Sequence, residues 1–246
     1  MSSFSDSLAT ALHLVVSMDA GLVAIVGRSL AVSASACALA CGVGLLLGAW
    51  LGVARFALRP VVLAVLNTLL AVPSVVVGLV VYLLLSRSGP LGFLGWLFSF
   101  QAMVLAQTLL VLPVVTALTR QVVEDAQTQH GEQLQSLGAG RLLRAVLLAW
   151  DERYALLMVV VASFGRAISE VGAVMVVGGN VEGFTRVMTT AIALETSKGD
   201  LPLALGLGLV LLLVVLLLNC GLAGLRHWRS RVDGRAYAVP APGLGT

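Results

Sequence analysis

Read from its first residue, the chain alternates long apolar runs with short polar interruptions. Five runs, residues 29–54, 61–85, 95–119, 154–177 and 201–225, are long and almost free of charge. A helix needs about 20 apolar residues to cross roughly 30 Å of hydrocarbon, so each run predicts one membrane-spanning helix. The fourth is the exception on charge, because Arg166 and Glu170 lie inside it. Residues 1–19 contain an apolar stretch too short to span, in which Phe4, Leu8, Leu12 and Val15 recur at helical spacing. That spacing predicts an interfacial amphipathic helix, with a frayed terminus as the alternative. Asp6 stands where a signal peptide would carry positive charge, so no cleaved leader is expected.

Between the third and fourth runs lies a polar island, residues 121–153. Within it a helical pattern over 125–137 stops at Gly138 and resumes from Arg141 as a second short helix over 140–149. Glu132 and Gly138 stand six residues apart at this helix–turn–helix elbow, and Gly138 supplies the backbone freedom the turn needs. Two short helices joined in this way predict a rigid cytoplasmic knob that hands force to a partner.

The apolar runs carry finer detail. Gly44, Gly48 and Gly52 repeat every four residues on the first run, on a face near Ser33, Cys37 and Cys41. Small residues at this period let two helix backbones approach closely in lipid, so the stripe predicts a helix contact. Pro73 and Pro113 interrupt the second and third runs, each removing a backbone hydrogen bond and permitting a bend, which is either an ordinary kink or the lining of a pathway. Arg166 and Glu170 are four residues apart, close enough to meet on one helix face. Charges at that depth are expensive, so the pair either neutralises itself structurally or shapes a pathway or gate. After the fourth run Gly178, Gly179 and Asn180 break the helix, and residues 185–198 predict a short external helix or re-entrant segment. Thr185, Thr189 and Thr190 there could hold a hydrated oxyanion, but helix capping is the favoured reading.

Composition agrees with a membrane location: 59% of the residues are hydrophobic, 11% are charged and the mean hydropathy is +1.02. Orientation follows from arginine placement. Arg55, Arg59, Arg120, Arg141, Arg144, Arg153, Arg226, Arg229, Arg231 and Arg235 fall on one side and mark it as cytoplasmic. Arg28, Arg87, Arg186 and Lys198 fall on the other, which places the N-terminus outside and the C-terminus, with a tail over 226–246, inside. The net charge of +3 therefore reports topology and predicts no nucleic-acid partner. Cys37, Cys41 and Cys220 all lie in apolar runs and show no disulfide or metal spacing. There is no phosphate-binding Gly-rich loop, no cluster of metal ligands and no plausible nucleophile with its base, so neither a cofactor nor an enzymatic activity of the chain alone is expected.

The polar island resembles a known element. Residues 132–138, Glu-Gln-Leu-Gln-Ser-Leu-Gly, are similar to the EAA loop of bacterial ABC-importer permeases, although Gln133 and Leu134 replace its two alanines. Residues 165–173, Gly-Arg-Ala-Ile-Ser-Glu-Val-Gly-Ala, and 176–180, Val-Val-Gly-Gly-Asn, resemble the signature of oxyanion permeases for molybdate, sulfate and tungstate. The stretch 180–199 resembles the tungstate branch, and the similarity extends through 72–78 and 83–92 to cover most of 67–219.

The resemblance implies an all-α integral membrane protein, a type I ABC importer permease, whose single transmembrane domain spans 1–246. It implies two permease copies, two separate ATP-binding subunits and an external oxyanion-binding protein, in a bacterial cytoplasmic membrane. Glu132, Gln133, Ser136, Leu137, Gly138 and Arg141 would form the coupling contact with the ATPase. Pro73, Ser74, Arg166, Ser169, Glu170, Gly172, Gly178, Gly179, Asn180, Thr189 and Thr190 are the pathway or gate candidates. The transported species would be tungstate, with molybdate the alternative. A secondary anion transporter is the rival class, but it would need its own coupling-ion site and usually internal repeats, and neither is evident.

Overall fold

The computed structural model describes residues 20–236, preceded by Ala9, Leu12, His13, Val16 and Ser17, with side chains described as far as Gly221 and at Gly224. Most of the expected surface helix over 1–19, and the end of the expected tail, lie outside the described residues. The described residues form helices joined by turns and loops, without strands. Helix α1 is Ala20–Val53, α2 Arg59–Ala71, α3 Ser74–Leu85, α4 Phe100–Ser136, α5 Arg141–Asp151, α6 Arg153–Ile168, α7 Gly172–Gly178, α8 Met188–Lys198 and α9 Leu201–Ala236. Among the described residues α1, α4 and the first part of α9 are each long and apolar enough to cross a membrane. Two bent pairs, α2 with α3 at 97° and α6 with α7 at 57°, bring the candidate spans to five if each pair is one crossing.

Several boundaries differ from the sequence pattern. Helix α1 starts at Ala20, nine residues before the apolar run. Helix α4 passes through Pro113 without interruption and continues across the polar island to Ser136, so the short helix expected over 125–137 is the end of a 37-residue helix. The expected interruption does occur at Pro73, and there the helix ends. Val72 adopts extended backbone, φ −64° and ψ 129°, as a residue before proline prefers, and Pro73 follows at φ −60° and ψ 131°.

The two prolines differ in what surrounds them. Just past Pro113 the glycine stripe of α1 presses on α4. An added Cβ at Gly44 would meet Val115 at 2.8 Å, one at Gly48 the Thr116 carbonyl oxygen at 2.6 Å, and one at Gly52 Val123 at 2.9 Å. The close approach begins just past the proline and runs from Val115 to Val123, binding that part of α4 to α1. Below the seam Ala49 and Val53 join Val123, Ala126, Ala145 and Leu148, which fastens α5 beneath α1 and α4. Cys37 and Cys41 are buried in the next layer with Val111, Val115 and Val159, as small packing residues.

Candidate functional site

Both bent helix pairs break where they touch each other. At the end of α6, Ser169 folds its hydroxyl back onto the Gly165 and Arg166 carbonyls, each at 3.1 Å, which competes with continuation of the helix. Glu170 follows at the break, and its carboxylate is held from several directions. Arg166 Nη1 donates to Oε2 at 2.9 Å, the Ala173 N–H at the start of α7 donates to Oε1 at 3.3 Å, and the Ser74 hydroxyl of α3 also donates to the carboxylate. The cation thus sits in the last turn of α6 and the anion just before the N-cap of α7, the placement each helix dipole favours. Thr189 of α8 donates to the Glu170 carbonyl at 2.7 Å. The sequence expectation of a meeting between Arg166 and Glu170 holds, but the pair spans a break rather than one continuous helix face.

Glycine permits this convergence. A Cβ on Gly172 would stand 2.7 Å from Val75 Cγ2 and 2.8 Å from Ser74 Oγ, and one on Gly78 would stand 2.8 Å from the Ala173 Cα. The extended turn at Pro73 and Ser74 therefore seats directly on the α6–α7 break. Burial is uneven across it: the Glu170 side chain is 4% exposed and that of Arg166 is 50% exposed.

The other pathway candidates serve the backbone of the loop between α7 and α8. Gly179 (φ +67°) and Asn180 (φ +50°) take the left-handed conformation that ends α7. The Asn180 side chain exchanges hydrogen bonds with α8, accepting from Thr190 Oγ1 at 2.9 Å and donating to the Thr190 carbonyl at 3.3 Å. Thr190 Oγ1 also accepts the Val187 N–H at the α8 N-terminus, and Thr185 Oγ1 bridges Val181 N–H and the Gly178 carbonyl. Capping is thus what these threonines do here. Gly178 is close-packed, with a Cβ there only 2.8 Å from Met103 Sδ.

One participant is missing from the sequence reading. Gln107, near the start of α4 and 4% exposed, donates to the Ala167 carbonyl at 3.0 Å, tying α4 to the end of α6. Its Oε1 is buried without a partner among the described residues. It faces a polar cavity of about 10 Å³ shared with Ser29, Ser33, Glu170 and Thr189, room for about one water. Its signal in the sequence was an amide isolated inside an apolar run.

At the C-terminal end of α4, Gly138 has φ +80°, and the chain stops the helix with two reversed bonds: Gly138 N–H to the Gln135 carbonyl and Ala139 N–H to the Leu134 carbonyl, both 3.0 Å. This is a Schellman turn with glycine at the left-handed position. A Cβ on Gly138 would meet nothing within 4 Å, so its role is conformational. Glu132, Gln133, Ser136, Leu137 and Arg141 are all exposed. Glu132 has no partner among the described residues. The Arg144 guanidinium reaches Gln135 Oε1 across the turn at 3.4 Å. Leu137, Leu142, Val146 and Trp150 are exposed by 57% to 82%, an apolar surface on an otherwise polar knob.

No family model matches the chain. It is 42% identical over 226 residues to the tungstate uptake system permease protein TupB of Peptoclostridium acidaminophilum, covering 92% of this chain and 99% of that protein. It is 41% identical over 219 residues to a probable anion ABC transporter permease of Haloferax volcanii, covering 87% of this chain and 93% of that one. With the sulfate transport system permease protein CysW of Escherichia coli the identity is 39% over 163 residues, 61% of this chain and 54% of that one. Likeness of this degree, extending nearly end to end over the first two, shows that the chain is a multi-pass membrane protein of the ABC oxyanion-importer permease family.

Proposed function

We propose that the chain, in two copies, forms the membrane pathway of an ATP-driven importer that takes up tungstate. The observation that carries the proposal is its 42% identity to nearly the whole of a tungstate-system permease. In this reading each bent helix pair is one crossing, which gives five, with the N-terminus outside and the arginine-rich side facing the bacterial cytoplasm. An external binding protein delivers the oxyanion, and separate ATP-binding subunits grip the elbow. The exposed apolar residues around Leu137 and Trp150, and the unpaired Glu132, suit such a contact.

Transport then proceeds by alternating access, with rigid-body movement of the elbow changing how the two breaks meet. Among the described residues Arg166 has Glu170 as its single partner, so its remaining N–H groups are free to offer hydrogen bonds to a passing tetrahedral oxyanion. Glu170, fully engaged and buried, holds that guanidinium in place while keeping its own charge away from the anion.

The test is reconstitution of the permease with its ATP-binding subunits in liposomes, supplied with loaded binding protein and ATP, followed by uptake of tungstate, molybdate and sulfate. ATP-dependent tungstate uptake is the expected result. Molybdate preference would correct the substrate, and uptake by the permease alone without ATP would establish the secondary-transporter reading instead.

A further inference from the structure

We propose that Glu124 is the residue through which movement of the elbow reaches the broken span α2–α3, with Arg59 as its counterpart; this rests on reading the elbow as the ATPase contact. The Glu124 carboxylate is divided between two cations. Its Oε1 accepts from Arg59 Nη2 of α2 at 2.8 Å, and its Oε2 accepts from Arg120 on its own helix. All three side chains are 14–25% exposed, so the cluster is only partly screened by solvent.

Position gives the cluster its role. Glu124 follows Val123, the last contact of the glycine seam with Gly52, so it marks the point where α1 and α4 cease to be bound backbone to backbone. The elbow is the end of the same helix, about 18 Å farther along at 1.5 Å per residue. Movement of the elbow must therefore move Glu124.

Helix α2 is otherwise loosely seated. Leu66 is the single buried residue among its described residues, and an apolar groove of about 530 Å³ separates much of α2 and α3 from α1 and α4, lined in part by Trp50, Leu69 and Pro113. At the near end of α2 Arg59 grips Glu124. At its far end Val72 and Pro73 lead into Ser74, which touches Glu170 and Gly172 at the meeting of the two breaks. The connected path is elbow, α4, Glu124, Arg59, α2, Ser74 and Glu170. Its first half is rigid helix, its second a lever fixed at both ends.

The complex reconstituted with ATP-binding subunits and loaded binding protein tests this through oxyanion uptake per ATP hydrolysed, alongside assembly yield. Glu124→Gln and Arg59→Gln should assemble and hydrolyse ATP near the wild-type rate while uptake per ATP falls about tenfold. The double variant should be no worse than either single, because both remove one link. Arg59→Lys, which keeps the charge, should recover most of the uptake, and Arg120→Gln, which leaves the α2–α4 bond intact, should stay within about twofold of wild type. Unchanged uptake per ATP in the Arg59 or Glu124 variants overturns the proposal. So does a parallel loss of hydrolysis and uptake, an Arg120→Gln effect as large as that of Glu124→Gln, or failure of either single variant to assemble. Gly138→Pro serves as the reference: if it uncouples while the Glu124 variants do not, the elbow reading stands and this inference fails, whereas coupling preserved in Gly138→Pro removes the elbow reading itself.

Discussion

Arg166 and Glu170 form a 2.9 Å ion pair across the break between α6 and α7, and the two partners differ sharply in burial, 50% against 4% exposed. The asymmetry separates their roles. Losing Glu170 strands the Ala173 N–H, the Ser74 hydroxyl and the Arg166 charge together, whereas losing Arg166 leaves the carboxylate with two donors. Glu170→Ala should therefore lower the thermal midpoint of the purified complex and its yield, on the scale of about 1–3 kcal/mol for a buried donor left unsatisfied, since the stranded Arg166 is half-exposed and can be solvated. Arg166→Gln should assemble almost normally and yet lose about tenfold in tungstate uptake, a change of about 1.4 kcal/mol in the transport barrier. Full uptake by a stable Arg166→Gln complex would reduce the pair to structure.

Gly138 is held by its backbone conformation alone. Replacement by alanine should destabilise the left-handed turn by about 1–2 kcal/mol, asparagine should be better tolerated, and proline, whose φ is negative, should be worst. The ratio of uptake to ATP hydrolysis should follow that order: glycine, asparagine, alanine, proline. Equal coupling in all four variants would show that the turn geometry is irrelevant to transport.

The glycine seam offers an internal control. A Cβ at Gly48 would press on the Thr116 carbonyl and Thr119 Cβ, both at 2.6 Å, while one at Gly27 meets nothing within 4 Å. Gly48→Ala should destabilise by about 1–3 kcal/mol through overpacking. Gly27→Ala, on an exposed stretch of the same helix, should be neutral or slightly stabilising, by up to about 1 kcal/mol from helix propensity. Thermal unfolding in detergent compares them directly, and similar midpoints for the two would contradict the seam.

Gln107 makes the opposite prediction from most buried polar residues. Its amide carbonyl has no partner among the described residues, and the Ala167 carbonyl that its NH₂ serves is already bonded to the Glu170 N–H at 3.1 Å. Gln107→Met should therefore leave stability within about 1 kcal/mol of wild type. A large drop in midpoint would mean that the polar cavity holds a water on which the site depends.

Topology is open to chemical labelling. In a background with the exposed Cys220 replaced by serine, cysteines introduced at Ser3 and Gly245 should react from opposite faces of the membrane. Five crossings place the termini on opposite sides, and reaction from one side would sink that count.

The sequence alone determined where the chain is apolar enough to enter a membrane, which side carries the arginines, and which short-range contacts could form. Those contacts, the turn at Gly138, the Arg166–Glu170 pair and the threonine caps, depend on spacings of one helical turn or a few residues, so local pattern suffices to read them. The tertiary structure decided the rest. Whether a proline ends a helix was not legible in the pattern: α4 runs through Pro113, with the α1 seam packed just past it, whereas the helix before Pro73 ends at Ala71. Hydrophobicity marks where lipid stops, but a helix stops only where its backbone bonds find other partners, and α4 therefore continues through the polar island to Ser136. The pairings of Ser74 with Glu170, Arg59 with Glu124 and Gln107 with Ala167 join residues 60 to 96 positions apart. No periodicity encodes such partners, because they arise only when packing brings distant helices together.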